Sequence, residues 1–121
     1  MEQVENLIIG AGPAGLATAG RLRKAGLEFT LLEQTNTIAT SWQNHYDGLH
    51  LHTVNPLSHL PHLPFPEGYP LYVSKEDLVS YYQQYAESFD IKPIFNQKVT
   101  RITQDDGHWQ VEAEDLSLIH I

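Results

Sequence analysis

The 121-residue chain contains no cysteine, which excludes disulfide bonds and cysteine-ligated metal sites within it. Its seven Lys and Arg residues are scattered among fifteen Asp and Glu, and the formal net charge is −8. We therefore expect no nucleic-acid partner and no membrane partner. The first apolar stretch is too short for a signal peptide or a membrane span, so we expect a cytoplasmic protein.

What the chain does contain is the composition of an ordinary globular domain. Hydrophobic residues make up 41% and charged residues 18%, which separates the chain from disordered sequences. A length of 121 residues is enough for one domain with a modest core.

A glycine-rich motif follows directly after an apolar run. Leu7–Ile9 leads into G-A-G-P-A-G, and a helical pattern comes next. A strand, a G-x-G-x-x-G turn and a helix in that order are the fingerprint of a dinucleotide-binding βαβ unit. In such a unit Gly10 allows the tight turn, Gly12 lets a pyrophosphate approach bare backbone, and Gly15 lets the helix pack close to the sheet. The N-terminus of the helix then presents N–H groups and a positive dipole end to the phosphates.

An acidic residue ends the second predicted strand. This strand spans about Glu28–Glu33, and Glu33 lies eighteen residues beyond Gly15. At that position a carboxylate is expected to accept hydrogen bonds from the ribose hydroxyls of an adenosine. A glycine-rich turn that binds no ligand is the alternative, and the complete order of strand, turn, helix, strand and acid disfavours it.

The remaining pattern predicts an α/β fold: a doubly wound, parallel-sheet (Rossmann-like) domain with the start of a β-meander. An aromatic stripe in the second long helix is expected to pack in the core, and the segment between Gln34 and Tyr72 shows little periodicity. The predicted elements are a strand at Val4–Ile9, a helix from Pro13 to Ala25 ended by Gly26, a helix after Ser74 with Asp77 in its capping turn, a strand at Ile91–Phe95, and a hairpin of Lys98–Gln104 with His108–Glu114.

Several segments in order resemble the class B flavin-dependent monooxygenases. This family includes the flavin-containing monooxygenases, the plant auxin-biosynthesis type and the Baeyer–Villiger type, and the resemblance covers residues 4 to 115. The segments that carry it are Gly10–Gly15 with Glu33, Ser41-Trp42, Tyr46–Thr53 and Leu63–Pro70.

The resemblance implies FAD at this first nucleotide site. It implies that the glycine motif holds the pyrophosphate, that Glu33 holds the adenosine ribose, and that Ser41 and Trp42 lie along the ribityl side. By the same resemblance, the region of Thr53 and Asn55 meets the flavin ring. The full set of expected cofactor-binding residues is Gly10, Gly12, Pro13, Ala14, Gly15, Glu33, Gln34, Ser41, Trp42, His52, Thr53, Asn55 and Val99.

The resemblance also implies a reaction and its partners. NADPH or NADH would reduce the flavin through a second G-x-G-x-x-G unit, which these 121 residues lack. One oxygen atom of O₂ would then pass to a small organic substrate. No residue is assigned as a catalytic acid, base or nucleophile, and the chain by itself is expected to be inactive. The alternatives are another FAD- or NAD(P)-dependent oxidoreductase, such as an N-hydroxylase, and a non-catalytic nucleotide-binding fragment.

Three features of the following segment bear on this interpretation. The family usually has two glycines before its Ser-Trp pair, whereas this chain has Ala39 and Thr40, which predicts a slightly different loop path. Disulfide reductases of the glutathione reductase type carry a cysteine pair in this region. This chain has no cysteine, so it is not a reductase of that type. Five histidines lie between residues 45 and 62, but no spacing typical of a metal site joins them to carboxylates, so no metal is expected.

The last six residues, 116–121, match what one reading frame of a widely used transposon sequencing adapter would encode. We therefore assign residues 1–115 to an incomplete N-terminal FAD-binding domain and residues 116–121 to this artefact. The alternative is a genuine strand, because the segment alternates in polarity and could pair in a sheet.

Overall fold

The computed structural model of the chain describes residues 2–114 and 118–120. None of the helices in these residues has the length and apolar character that crossing a bilayer requires. The elements are β1 (Glu2–Gln3), β2 (Leu7–Ile9), α1 (Pro13–Lys24), β3 (Thr30–Leu32), α2 (Thr40–Gln43), a 3₁₀ turn (Asn55–Leu57), α3 (Lys75–Ser88), β4 (Val99–Asp105), β5 (His108–Ala113) and β6 (Leu118–His120).

The βαβ unit predicted from the glycine motif is present. Strands β2 and β3 pair in parallel, with Ile8 opposite Leu31, and α1 connects them. The predicted first strand, Val4–Ile9, is too long: only Leu7–Ile9 is a strand, and residues 4–6 separate it from β1, which pairs with β6. In this separating segment the side chain of Asn6 donates a hydrogen bond to the backbone carbonyl of Glu28 (2.9 Å).

The predicted third strand contributes only one residue of parallel pairing. Ile94 forms an isolated parallel bridge with Leu32, on the opposite side of β3 from β2. Pro93 has no N–H to donate, and Asn96 has a positive φ of 59°, so the backbone leaves the ladder on both sides of Ile94. The order of the three segments nevertheless agrees with the doubly wound arrangement.

Helix α1 begins and ends as its sequence predicts. Pro13 occupies the first turn, where a missing N–H costs nothing. At the other end Gly26 has a φ of +75°, and the N–H of Leu27 donates to the carbonyl of Leu22 (2.9 Å). This is a Schellman motif, in which the left-handed residue is normally glycine.

The last strands form the predicted meander. Strands β4 and β5 pair antiparallel around Asp106 and Gly107, which both have positive φ (49° and 79°), as a type I′ turn requires. Strand β6 then pairs antiparallel with β5 and in parallel with β1. Together with the parallel unit, this confirms the α/β fold class.

The adapter assignment of residues 116–121 stays a prediction. Residues 116, 117 and 121 lie outside the described residues, and 118–120 are the strand β6. A short alternating segment has the pattern of a strand whatever its origin.

Helix α3 supplies the centre of the core. Ser74 caps it as predicted, since its hydroxyl accepts a hydrogen bond from the N–H of Asp77 (3.2 Å). The aromatic stripe is buried, and Tyr81 and Tyr85 are fully enclosed. Helices α1 and α3 pack against each other closely enough that a Cβ added to Gly20 would lie 1.9 Å from the Tyr85 hydroxyl.

The tyrosines of α3 also form hydrogen bonds with the proline-rich segment, residues 60–70. The Tyr81 hydroxyl accepts a hydrogen bond from the N–H of Leu60 (2.9 Å) and donates one to the carbonyl of Leu63. The Tyr85 hydroxyl donates to the carbonyl of Pro61 (2.9 Å). A segment without regular structure is thereby ordered by three side-chain bonds to one helix.

Replacing Tyr81 by Phe should lower the free energy of unfolding by about 1–3 kcal/mol, because the buried N–H of Leu60 loses its acceptor. Tyr82→Phe is the matched control, since among the described residues the Tyr82 hydroxyl forms no hydrogen bond and is not a buried unpaired group. Its effect should stay within about 0.5 kcal/mol. Urea denaturation monitored by circular dichroism measures both, and equal effects would contradict this account of the segment.

Candidate functional site

A cleft lies where β2 and β3 end and α1 begins. Its volume is about 160 Å³, and in an open α/β sheet ligands bind at this carboxyl end of the strands. The residues that line it are Gly12, Pro13, Glu33, Gln34, Thr35, Ala39, Thr40, Ser41 and Asn44.

Two glycines of the motif are required by the fold itself. Gly10 has a φ of +99°, which a tight turn off the strand needs. A Cβ added to Gly15 would lie 1.9 Å from the carbonyl oxygen of Gly10 and 3.5 Å from a methyl carbon of Ile8. Close packing of α1 on the strand therefore excludes any side chain at Gly15.

Gly12 differs from both, because no contact among the described residues requires it to be glycine. Its φ is −81°, and a Cβ built on it would have no atom of these residues within 4 Å. It lines the cleft as the N-cap of α1, and no side chain caps this helix end. First-turn N–H groups have no intrahelical partner and carry the positive end of the helix dipole. The bare backbone and the uncapped helix end therefore suit an anionic ligand.

Glu33 is a buried carboxylate that also lines the cleft, with 7% of its surface exposed. Its Oε1 accepts a hydrogen bond from the N–H of Ala11 (2.9 Å). Its Oε2 accepts two, from the N–H and the hydroxyl of Thr35 (both 2.8 Å). Of the two carboxylate oxygens, Oε1 therefore accepts fewer of these hydrogen bonds.

These contacts determine the charge of Glu33. Burial by itself raises the pKa of the Glu33 carboxyl, but hydrogen bonds from the backbone of Ala11, from the backbone and hydroxyl of Thr35 and from the backbone of Gln34 stabilise its charged form. Their sum outweighs the burial, and the pKa lies below its usual range. The site therefore presents a negative carboxylate, which accepts hydrogen bonds and donates none.

Ala11 joins the two halves of the cleft through both of its backbone groups. Its N–H donates to Glu33, and its carbonyl accepts a hydrogen bond from the N–H of Ala39 (2.9 Å). Ala11 itself is completely buried. The glycine-rich turn is consequently attached to the loop after β3 at two points.

Ala39 adopts a conformation that favours glycine. Its φ is 51° and its ψ is 38°, and only 1% of its surface is exposed. Left-handed backbone costs a non-glycine residue about 1 kcal/mol. The geometry agrees with the glycine that the resembled family usually has at this position, and the bond to Ala11 keeps the alanine in it.

The structure brings part of the predicted site together at this cleft. Gly12, Pro13, Glu33, Gln34 and Ser41 line it, with Gly10, Ala14 and Gly15 in or next to the turn. Val99 begins β4 and is half-buried. It packs against two buried residues, Leu32 at the end of β3 and Val111 in β5.

The other predicted residues do not line this cleft. Trp42 is half-buried against the main core, and its ring contacts the His45 ring edge-on at 5.0 Å between centroids. His52 and Thr53 are exposed, and Asn55 donates its N–H to the carbonyl of Leu71 (2.7 Å). Among the residues that the structure describes, no group of three or more His, Asp or Glu side chains is placed to hold a metal ion.

Sequence reasoning missed Thr35 and Asn44 as cleft residues and Ala11 as a link between the turn and the loop. A threonine two residues after an acid is a signal for Thr35, because such residues often form local side-chain hydrogen bonds. Nothing in the sequence indicates Asn44, whose place depends on the short helix α2.

Gly12→Ala and Gly15→Ala should separate ligand binding from folding. Gly15→Ala should lower the free energy of unfolding by about 2 kcal/mol, since the added carbon overlaps a backbone oxygen. Gly12→Ala should change it by less than about 0.5 kcal/mol yet weaken ADP binding about tenfold. Thermal unfolding and titration calorimetry measure these effects, and unchanged ADP binding by Gly12→Ala would argue against this cleft.

Glu33→Gln should remove part of the acid sensitivity of the fold. The folded pKa of Glu33 is below the unfolded value of 4.5, so its stabilising effect is complete above that pH and is lost as the pH falls through the folded pKa. Wild type should exceed Glu33→Gln in free energy of unfolding by about 1–3 kcal/mol at pH 7. Urea titrations should find that this difference shrinks progressively as the pH is lowered below 4.5, and a difference that stays constant with pH would refute the assignment.

Curated relatives match most of this chain but only part of their own length. An indole-3-pyruvate monooxygenase of Arabidopsis thaliana (YUCCA6) is 46% identical over 110 residues, which are 88% of this chain and 26% of that protein. A probable indole-3-pyruvate monooxygenase of the same plant (YUCCA4) is 44% identical over 112 residues, 90% of this chain and 27% of that protein. The chain therefore spans about a quarter of the length of the curated relatives it matches.

A solved structure and a family profile agree with these matches. A flavin-containing monooxygenase from Stenotrophomonas maltophilia superposes with a TM-score of 0.88 at 26% identity, over 99% of this chain and 36% of that one. The profile described as pyridine nucleotide-disulphide oxidoreductase matches residues 7–118. These 121 residues have no cysteine for the disulphide chemistry in that description. The matched turn, helix and strands show that the chain belongs to the pyridine nucleotide-disulphide oxidoreductase family.

Proposed function

We propose that this chain is the FAD-binding portion of an NAD(P)H-dependent flavoprotein monooxygenase, which inserts one oxygen atom of O₂ into a small organic substrate. The observation that carries the proposal is the cleft itself, which is lined by both the bare Gly12 backbone and the charged Glu33 carboxylate. The similarity to monooxygenases from a plant and from a bacterium supports it.

The residues of the cleft fit the adenosine diphosphate half of FAD. The first-turn N–H groups of Ala14 and Gly15 would bind the pyrophosphate, helped by the dipole of α1, since the nine lining residues include no Lys or Arg. Oε1 of Glu33, the less occupied oxygen, would accept a hydrogen bond from a ribose hydroxyl. A negative carboxylate suits a hydroxyl and repels a phosphate, which orients the nucleotide along the cleft.

The other candidates would act further along the cofactor. Gln34 and Ser41 continue the lining of the cleft, and Val99 lies near the end of β3, where the resemblance places the adenine. Trp42, His52, Thr53 and Asn55 would meet the flavin end. When bound, FAD supplies the redox chemistry, and the protein positions the cofactor and limits the access of water.

The rest of the proposed enzyme lies outside these residues. A second nucleotide site for NADPH or NADH, the substrate pocket and the choice of S-, N- or Baeyer–Villiger oxygenation belong to the longer protein. Residues 1–115 would be its N-terminal FAD-binding domain, and the cytoplasm its location.

Binding of FAD by the chain tests the cofactor directly. Flavin fluorescence anisotropy should rise when the protein is added to FAD, and excess ADP should reverse the rise because both compete for the cleft. FMN, which lacks the adenosine half, should not compete. Reversal by FMN and not by ADP would place the flavin end in this cleft and contradict the assignment.

Resequencing the coding DNA across Asp115, without the transposon adapter, tests the parent enzyme. The reading frame should continue into a second G-x-G-x-x-G and a histidine-containing signature. A different downstream signature would favour another FAD- or NAD(P)-dependent oxidoreductase, such as an N-hydroxylase. A confirmed stop after Ile121 would favour a non-catalytic nucleotide-binding protein.

A further inference from the structure

A chain of hydrogen bonds connects the short helix α2 to the Glu33 carboxylate. The hydroxyl oxygens of Thr40 and Thr35 lie 2.6 Å apart, and the Thr35 hydroxyl is 2.8 Å from Oε2 of Glu33. Thr40 begins α2, and both threonines line the cleft. The helix is held from its other end as well, since the Gln43 side chain donates to the carbonyl of Ile38 (2.7 Å).

The number of protons available determines which group donates in each of these hydrogen bonds. A hydroxyl has one proton to donate, and the ionised Glu33 carboxylate can only accept. The Thr35 proton has two acceptors within reach, Oε2 of Glu33 at 2.8 Å and the carbonyl of Thr37 at 3.0 Å. The nearer, charged carboxylate takes it, which leaves the Thr35 oxygen to accept. The Thr40 proton then goes to Thr35 at 2.6 Å in preference to the carbonyl of Thr37 at 3.2 Å. Hydrogen bonds linked in this way polarise and strengthen one another.

The direction of these hydrogen bonds leaves the two carboxylate oxygens of Glu33 unequally occupied. Oε2 accepts two bonds, from the N–H and the hydroxyl of Thr35. Oε1 accepts one, from the N–H of Ala11, so it is the less occupied oxygen. Without the Thr35 hydroxyl, the two oxygens would have one bond each and the carboxylate would lose this asymmetry.

We propose that Thr35, supported by Thr40, is a positioning residue that directs Oε1 of Glu33 toward the ribose hydroxyls of an adenine nucleotide. This inference rests on the proposed nucleotide-binding function. Thr40 stands at one of the two positions where the resembled family usually has glycine, so its hydroxyl is not part of the family's usual pattern. The Thr35 N–H bond to Glu33 does not need the side chain, so the hydroxyl adds orientation to an attachment that is already present.

The ratio of two affinities isolates this role. Titration calorimetry on the 121-residue chain would compare ADP with 2′,3′-dideoxy-ADP, which keeps the phosphates and lacks both ribose hydroxyls. We expect wild type to bind ADP about tenfold more tightly, as one hydrogen bond to a charged acceptor provides. Thr35→Val should reduce this ratio to about threefold or less, and Thr35→Ser, which keeps the hydroxyl, should preserve it.

Two further variants keep the test independent of folding. Thr40→Val removes the donor to Thr35 without touching Glu33, and it should lower the same ratio by about twofold. Thr100→Val removes an exposed hydroxyl of β4, which donates to the carbonyl of Glu112, and it should leave the ratio unchanged. A general loss of stability would weaken both nucleotides equally, so it would not change the ratio.

Each outcome has a definite meaning. A wild-type chain that binds neither nucleotide would overturn the proposed function and this inference with it. A wild-type chain that prefers ADP, with Thr35→Val and Thr40→Val giving the same preference, would overturn the inference alone. A ratio that falls in both variants and stays high in Thr35→Ser and Thr100→Val supports it.

Discussion

The hydrogen bond from the Ala11 N–H to the Glu33 carboxylate is the contact on which the site depends. It joins the glycine-rich turn after the first parallel strand to the loop after the second, and it is buried. The carbonyl of Ala11 accepts a hydrogen bond from the N–H of Ala39, so one residue attaches the turn to this loop at two points. An interior carboxylate without hydrogen-bond donors would be costly, and donors from Ala11, Thr35 and Gln34 keep Glu33 charged.

Small residues let the helices approach closely enough to make this arrangement. Gly15 brings α1 against the backbone of the turn, and Gly20 brings the same helix against Tyr85 of α3. Tyr85 also holds the proline-rich segment through the carbonyl of Pro61. The irregular middle of the chain is thus ordered by the same helix pair that sets the position of the cleft.

Local signals predicted the regular parts of the fold. The glycine motif, the serine cap at Ser74 and the Asp106-Gly107 turn each combine a short sequence with one backbone geometry, and the structure has all three. The apolar pattern predicts a third strand that is longer than the single bridge at Ile94, because the pattern takes no account of Pro93, which cannot donate a hydrogen bond to the sheet. Pairing of β1 with β6 joins opposite ends of the chain, and such a contact has no local signal.

Site residues were predictable only where a motif requires one residue type at a fixed spacing. Gly12 and Glu33 were found from spacing, whereas Thr35 and Thr40 act through their contacts with other side chains. The flavin-side candidates around His52 depended on the resemblance, and they remain proposals.

The central claim is that the turn and the loop held together by Ala11 and Glu33 form one nucleotide-binding cleft. Amide chemical shifts of the isotope-labelled chain during an ADP titration test it most directly. The account predicts that the largest changes occur at the amides of Gly12, Ala14 and Gly15 and in the segment from Glu33 to Ser41. Changes confined to the β4–β5 hairpin, with these amides unaffected, would contradict it.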